Sequence, residues 1–195
     1  MRHDLERQLG ARLVRYADDA VILCRHGTEK PMAVLTTVLE KLDLTLNAQK
    51  TRVVDARADG FDFLGFRIAW RTSRRSGKGY PHVEPSKRAE QRIKDRIKDL
   101  TARRRTPVDM DDMIGEVNQA LRGWTGYFHY RNCSKVLGRV KTHAEERVRT
   151  QLRHRHKLQS RAQGYLRFSN AHLYDHLGLF KVPTTAGWRS AHAGA

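Results

Sequence analysis

Apolar residues follow two different periods along the chain. Leu13 and Val14, then Ala20-Val21-Ile22-Leu23-Cys24, are two apolar, β-rich runs flanking Asp18 and Asp19. That is how a tight β-hairpin reads with an acidic pair at or beside its turn. Pro31 suits the first turn of a helix, and Val34, Leu35, Val38, Leu39 and Leu42 then recur at helical spacing, so this helix is expected to pack on the hairpin's sheet. Residues 52–55 and 61–63 read as short strands, the second with Phe61 and Phe63 on one face. Residues 68–72 and 80–83 predict a further hairpin around a glycine-bearing tip. Beyond Pro85 and Ser86 the period becomes helical. Ala89, Ile93, Ile97 and Leu100 mark one narrow face over 86–105, and Met110, Ile114, Val117 and Leu121 mark a second helix opening after Thr106-Pro107. Val136, Val140, Ala144, Val148 and Leu152 mark a third over 134–158. The chain therefore reads as α+β: a hairpin, a helix and short strands, then a mainly helical bundle.

Charge separates these halves. The 195 residues carry 38 Lys+Arg against 21 Asp+Glu, a net of +17, but residues 1–60 hold only +1 of it and residues 61–195 hold +16. An excess sustained over that length, with Trp, Tyr and Phe interleaved, points to a polyanion and to nucleic acid in particular. For any one short run a solvated surface is the plainer reading. Arg74, Arg75 and Lys78 at the hairpin tip suit phosphate oxygens, as do Lys87, Arg88, Arg92 and Arg96 around the first basic helix and Arg103, Arg104 and Arg105 at its end. Tyr127, Tyr130 and Arg131 could stack on unpaired bases or fill the bundle, whereas Trp124 and Phe128 read as core.

Other chemistry is excluded or has a simpler account. Asp109, Asp111 and Asp112 suit a helix N-terminus. His154 and His156 point apart on a helix, and Cys24 and Cys133 have no Cys-x-x-Cys spacing. No stretch approaches the roughly 18–20 apolar residues that span a bilayer, and Met1-Arg2-His3-Asp4 does not open a signal peptide, so a cytoplasmic protein without a membrane partner is expected. Asp18 and Asp19 differ from these. Adjacent carboxylates repel unless a cation neutralises them, and Mg²⁺ prefers their oxygens, although an Asp-Asp surface turn is common.

Three ordered motifs sharpen that choice. Tyr16-Ala17-Asp18-Asp19, then Leu44-Thr45-Leu46-Asn47 with Lys50-Thr51, then Gly60-Phe61-Asp62-Phe63-Leu64-Gly65-Phe66 resemble the palm of group II intron-encoded reverse transcriptase/maturase proteins. The stretch 122–130 and the segment 170–179 resemble the maturase-specific region that follows the polymerase in that family. The resemblance implies catalytic, metal-holding roles for Asp18 and Asp19, and primer or substrate positioning by Tyr16, Lys50, Leu64 and Gly65. It implies group II intron RNA as partner, with an RNA/DNA hybrid during RNA-templated DNA synthesis, and assistance to intron splicing. It divides the chain into a partial palm over 1–72, a basic hairpin and first thumb helix over 73–105, a maturase-specific region over 106–180 and a flexible tail over 181–195. The family's fingers and its first palm aspartate have no counterpart before Leu13, where Asp4 and Glu6 lie in a polar lead. Mg²⁺ is therefore expected only if the missing palm is supplied, and the isolated chain is expected to lack polymerase activity. Two alternatives stay open: an inert or partly folded remnant of a degraded mobile element, and an enzyme half that needs a separate fingers/palm polypeptide. No oligomeric state follows from the sequence.

Overall fold

The structure is a computed structural model that describes residues 11–187 other than His26 and Ala48. The polar lead with Asp4 and Glu6 and the residues after 187 lie outside the described residues. The chain divides into two compact units, Met1–Asp55 and Ala56–Ala195.

In the first unit, strands β1 (Ala11–Tyr16) and β2 (Asp19–Cys24) form an antiparallel hairpin in which Tyr16 faces Asp19 across the last rung. The connection is Ala17-Asp18, with Ala17 at φ +50°. Two-residue hairpins demand a positive φ at that position. Helix α1 (Glu29–Glu40) places Pro31 in its first turn, where the missing N–H costs nothing, and buries it. Leu42, expected on the helical face, lies past its end and is exposed. Residues 52–55, expected as a strand, adopt none, and Val53 and Val54 are exposed. β-branched residues alone do not make a strand without a partner to pair with.

The second unit opens with a three-stranded antiparallel sheet, β3 (Phe61–Phe63), β4 (Phe66–Thr72) and β5 (Gly79–Pro85), in the order β3-β4-β5. A boundary at residue 72 would cut this sheet between β4 and β5, so the strands belong with the helices that follow and not with the β1–β2 hairpin. Helices α2 (Lys87–Leu100), α3 (Met110–Phe128), α4 (Ser134–Arg155) and α5 (Arg161–Arg167) succeed it. Ile93, Ile97, Leu100, Ile114, Val117, Leu121, Val140, Ala144, Val148 and Leu152 meet in one buried core, joined by Met113 and Leu137. The expected faces of α2, α3 and α4 are thus the buried ones, with Met110 half-buried, whereas Val34, Leu35, Val38 and Leu39 of α1 are only half-buried, and the fold is α+β with a helical C-terminal region.

The basic run 103–105 does not extend α2. Thr101 Oγ1 donates to the Ile97 carbonyl at 2.6 Å, Ala102 turns extended, and Arg103–Arg105 forms a separate 3-10 turn. Asp109 caps α3 by accepting from the Asp111 amide at 2.8 Å, in keeping with the simpler reading of the acidic cluster. Residues 181–187 do not form a flexible tail. Val182 is buried, Arg131 and Gly187 exchange backbone hydrogen bonds at 2.7 and 3.0 Å, and Asn118 Oδ1 accepts from the Phe180 amide at 2.6 Å.

Candidate nucleic-acid interface

The β3–β4 connection is Leu64-Gly65, with φ +50° and +81°, because Phe63 pairs with Phe66 and only two residues are left to turn the chain. Positive φ at both central residues is the signature of a type I′ turn. The turn is clamped from three sides. Ser86 N donates to the Gly65 carbonyl at 2.8 Å, Tyr127 Oη donates to the Leu64 carbonyl at 3.0 Å, and a Cβ on Gly65 would stand 3.0 Å from Phe128 Cζ. The glycine therefore admits the Phe128 ring of α3. Behind it Phe66 packs on Tyr127, Phe128 and Tyr130, with ring centroids 5.6, 5.1 and 6.0 Å away. Asn132 completes the docking through a paired bond to Val83, its amide donating to the carbonyl at 3.0 Å and its Oδ1 accepting from the amide at 3.2 Å.

This docking leaves a cleft of about 380 Å³ bounded by Leu64, Gly65, Ser86, Arg88, Arg92 and Trp124. Four residues expected at the nucleic-acid surface, Leu64, Gly65, Arg88 and Arg92, are brought together here. Both arginines are exposed and sit near the N-terminus of α2, whose partial positive charge adds to theirs. Trp124 Nε1 donates to the Ala89 carbonyl at 3.3 Å, and its ring lies 4.8 Å from Phe128, so its polar edge is satisfied and its half-buried face borders the cleft. Arg74, Arg75 and Lys78 stand exposed at the β4–β5 tip, flanked by Trp70, which is 45% exposed. Among the described residues, Arg74, Arg75, Lys78, Lys87, Arg88, Arg92, Arg103 and Arg104 make no ion pair. Eight uncommitted cations on one unit are the electrostatic footprint of a polyanion partner.

Other basic and aromatic candidates are spent within the fold. Arg105 grips Glu116 through two bonds of 2.8 and 2.6 Å, which hold the Glu116 carboxyl below its ordinary range, and the field of Arg96 adds to this. Tyr130 Oη accepts from Arg131 Nε at 3.0 Å, and the Arg131 guanidinium also lies over the Tyr130 ring. Tyr127 is 54% exposed even though its hydroxyl is bound to the turn.

Three arginines on the polar face of α4 are structural. Arg139 donates to both Glu90 carboxylate oxygens at 2.9 and 2.6 Å, and Lys94 adds a third bond at 2.5 Å. These partners hold the Glu90 carboxyl down at about 2. Arg147 donates to Thr101 Oγ1 and to its carbonyl, each at 3.1 Å. Arg149, buried, donates to the Phe168 carbonyl, Glu146 and Asn170, and lies 4.2 Å from the Tyr165 ring centroid. A run of arginines at helical spacing carries no mark of which ones meet acceptors 20 to 50 residues away.

In the first unit, Asp18 sits in the hairpin turn and Asp19 begins β2, both exposed, with Tyr16 opposite Asp19 and 66% exposed. Lys50 is exposed in a turn built by Asn47, whose Oδ1 accepts from the Gln49 and Lys50 amides, each at 3.1 Å. Two neighbouring carboxylates suit the hard-oxygen preference of Mg²⁺. Among the described residues, however, no three His, Cys, Asp or Glu side chains converge on a point where an ion could be held. The pair fits a share of a coordination sphere and not a closed site. Among the described residues, no helix is long and apolar enough to cross a membrane.

The second unit is a basic helical bundle carrying a small antiparallel sheet, with uncommitted arginines around the sheet-to-helix junction. Residues 90–168 match the family described as Group II intron, maturase-specific domain. The match runs from within α2 to the residue just after α5, so it spans most of the helical bundle. No curated protein matches the chain.

Proposed function

We propose that this chain binds group II intron RNA through the basic surface of its second unit and thereby assists intron splicing. The carrying observation is the set of unpaired cations around the Leu64-Gly65 cleft and the β4–β5 tip, on the unit whose helices match the maturase-specific domain. Phosphates of a folded RNA meet Arg88, Arg92 and the hairpin arginines, while Tyr127 and Trp70 offer exposed ring faces for unstacked bases. Filter binding of a group II intron RNA at several salt concentrations tests this. The expected result is a steep linear fall of log affinity with log salt, at about 0.7–0.9 per phosphate contact. Absent binding, or binding with no salt slope, refutes it.

We also read the β1–β2 hairpin as the tip of a polymerase palm, serving RNA-templated DNA synthesis on an RNA/DNA hybrid. The observation favouring this is the two-residue turn that sets Asp18 and Asp19 side by side at one exposed end. In that role Asp18 and Asp19 would hold Mg²⁺, which neutralises charge on phosphoryl oxygens, and Lys50 would face the triphosphate. The two carboxylates alone do not clamp two ions, so a further acidic ligand must come from outside the described residues. Asp18→Asn should abolish any primer extension by an assembly containing this chain while leaving RNA affinity unchanged. Extension that survives the change removes the polymerase reading.

A further inference from the structure

A second cleft, of about 710 Å³, opens where the N-terminus of α3 meets the C-terminus of α4. It lies at the opposite end of α3 from the first cleft, since Met110 borders one and Phe128 the other, about 27 Å apart along the helix. Its volume falls within the roughly 300–1,000 Å³ of small-ligand sites. None of the roles above uses it.

Its walls combine aromatic rings with uncompensated positive charge. His156, Phe168, His172 and His176 form a continuous column, with successive centroids 5.1, 5.4 and 5.2 Å apart. Phe168 is buried and anchors the column, while His156 is exposed and His172 half-buried at the opening. Arg167, exposed, lies over the Phe168 ring at 5.6 Å. Arg155 donates one Nη to the Val108 carbonyl, and its buried Nε has no partner among the described residues. No residue lining the cleft is acidic. Burial and the neighbouring His176 and His156 push the His172 imidazole below the ordinary histidine range, which favours a neutral ring able to stack. The described histidines do not form a metal group. A cleft that offers flat rings on one wall and unpaired guanidinium donors beside them is matched to a planar base joined to a phosphate.

We propose that this cleft seats one unpaired nucleotide of a bound RNA, its base against the His156 and His172 rings that Phe168 backs and its phosphate on Arg155 and Arg167. The seat rests on the RNA-binding reading above and adds to it a second contact at the far end of α3, with a preference for unpaired over paired RNA.

The test compares the full chain with its H156A/H172A variant, which removes ring faces without changing formal charge. Fluorescence anisotropy follows binding to a single-stranded oligoadenylate of about 12 nucleotides and to a duplex RNA of equal length. The variant should lose about tenfold in affinity for the single strand and keep its duplex affinity. In parallel, the His156 and His172 Cε1–H resonances of the unmodified chain should move with oligoadenylate and not with inorganic phosphate at the same ionic strength. That NMR measurement needs no variant to fold. If the variant binds the single strand as well as the parent and the histidine resonances stay fixed, while the parent binds RNA with a salt slope, the seat is overturned and the RNA-binding reading stands. Equal shifts with phosphate reduce the cleft to an anion site and overturn base stacking. Failure of the parent to bind either RNA overturns the underlying reading and the seat with it.

Discussion

Glu90 lies in the first turn of α2, its side chain only 11% exposed, and ties α2 to α4 through Arg139 as well as to Lys94 on its own helix. Replacing it by Gln keeps the shape but sets an amide where two cations need an acceptor, leaving Arg139 without its charge partner. The carboxyl is held at about 2 against an ordinary 4.5, first by the Arg139 hydrogen bonds and then, against burial, by Lys94. At about 1.4 kcal/mol per pKa unit that is about 3.5 kcal/mol, and solvent at the half-exposed Arg139 end reduces it to about 2 kcal/mol. Because the folded carboxyl titrates below the unfolded one, its contribution is complete above pH 4.5 and disappears as the pH falls toward 2. Urea unfolding followed by tryptophan fluorescence should show E90Q less stable by about 2 kcal/mol at neutral pH, with Tm lower by about 4–8 °C. Near pH 3 the difference should shrink to about 1 kcal/mol or less. A neutral-pH difference below about 0.5 kcal/mol, or one that does not shrink in acid, would show that this clip does not hold the two helices together.

Three further substitutions probe separate links. Gly65→Ala forces a side chain to φ +81° and a Cβ to 3.0 Å from the Phe128 ring, so urea unfolding should report a loss of about 2–3 kcal/mol. Lys157, at φ +52°, closes α4 in a Schellman turn with Leu158 N bonded to the Arg153 carbonyl at 3.0 Å, so Lys157→Gly should raise stability by about 0.5–1 kcal/mol in the same assay. Arg88→Gln with Arg92→Gln removes two exposed, unpaired cations, so binding to intron RNA should weaken and its log–log salt slope should fall by about 1.4–1.8, with the melting temperature unchanged.

What could be read in advance was governed by burial. Ile93, Ile97, Val117, Leu121, Val140 and Val148 recur at helical spacing because one side of each helix must leave water, and these are the residues the core encloses. The acidic turn was legible too, since two apolar runs leave Asp18 and Asp19 little other place. Features decided by a distant partner were not legible. Nothing local distinguishes Arg149, bound to the Phe168 carbonyl, from Arg88, which is free. The stop at Leu100 depends on a threonine hydroxyl turning back on its own helix, and the turn after α4 places Lys157 where glycine is the usual marker. Residues 181–187 look like a tail until Arg131 exchanges backbone bonds with Gly187 and the His129 ring meets the Thr185 carbonyl. Of the interface, Leu64, Gly65, Arg88 and Arg92 were readable as candidates, but their convergence required the type I′ turn and the Phe128 ring that fills it. The π-helical turn His172–His176, which stacks two histidines, has no periodic signal of its own.

Competition at a fixed, near-physiological salt concentration separates recognition of group II intron RNA by the basic unit from attraction to charge alone. A labelled group II intron RNA bound to the full chain is challenged with unlabelled group II intron RNAs and with size-matched RNAs of scrambled sequence. Charge alone treats both competitors equally, because the phosphate term carries no sequence information. Intron RNAs should displace the label at concentrations at least about tenfold lower, a preference of about 1.4 kcal/mol. Equal displacement by the scrambled RNAs would contradict it, leaving a basic protein that binds any RNA.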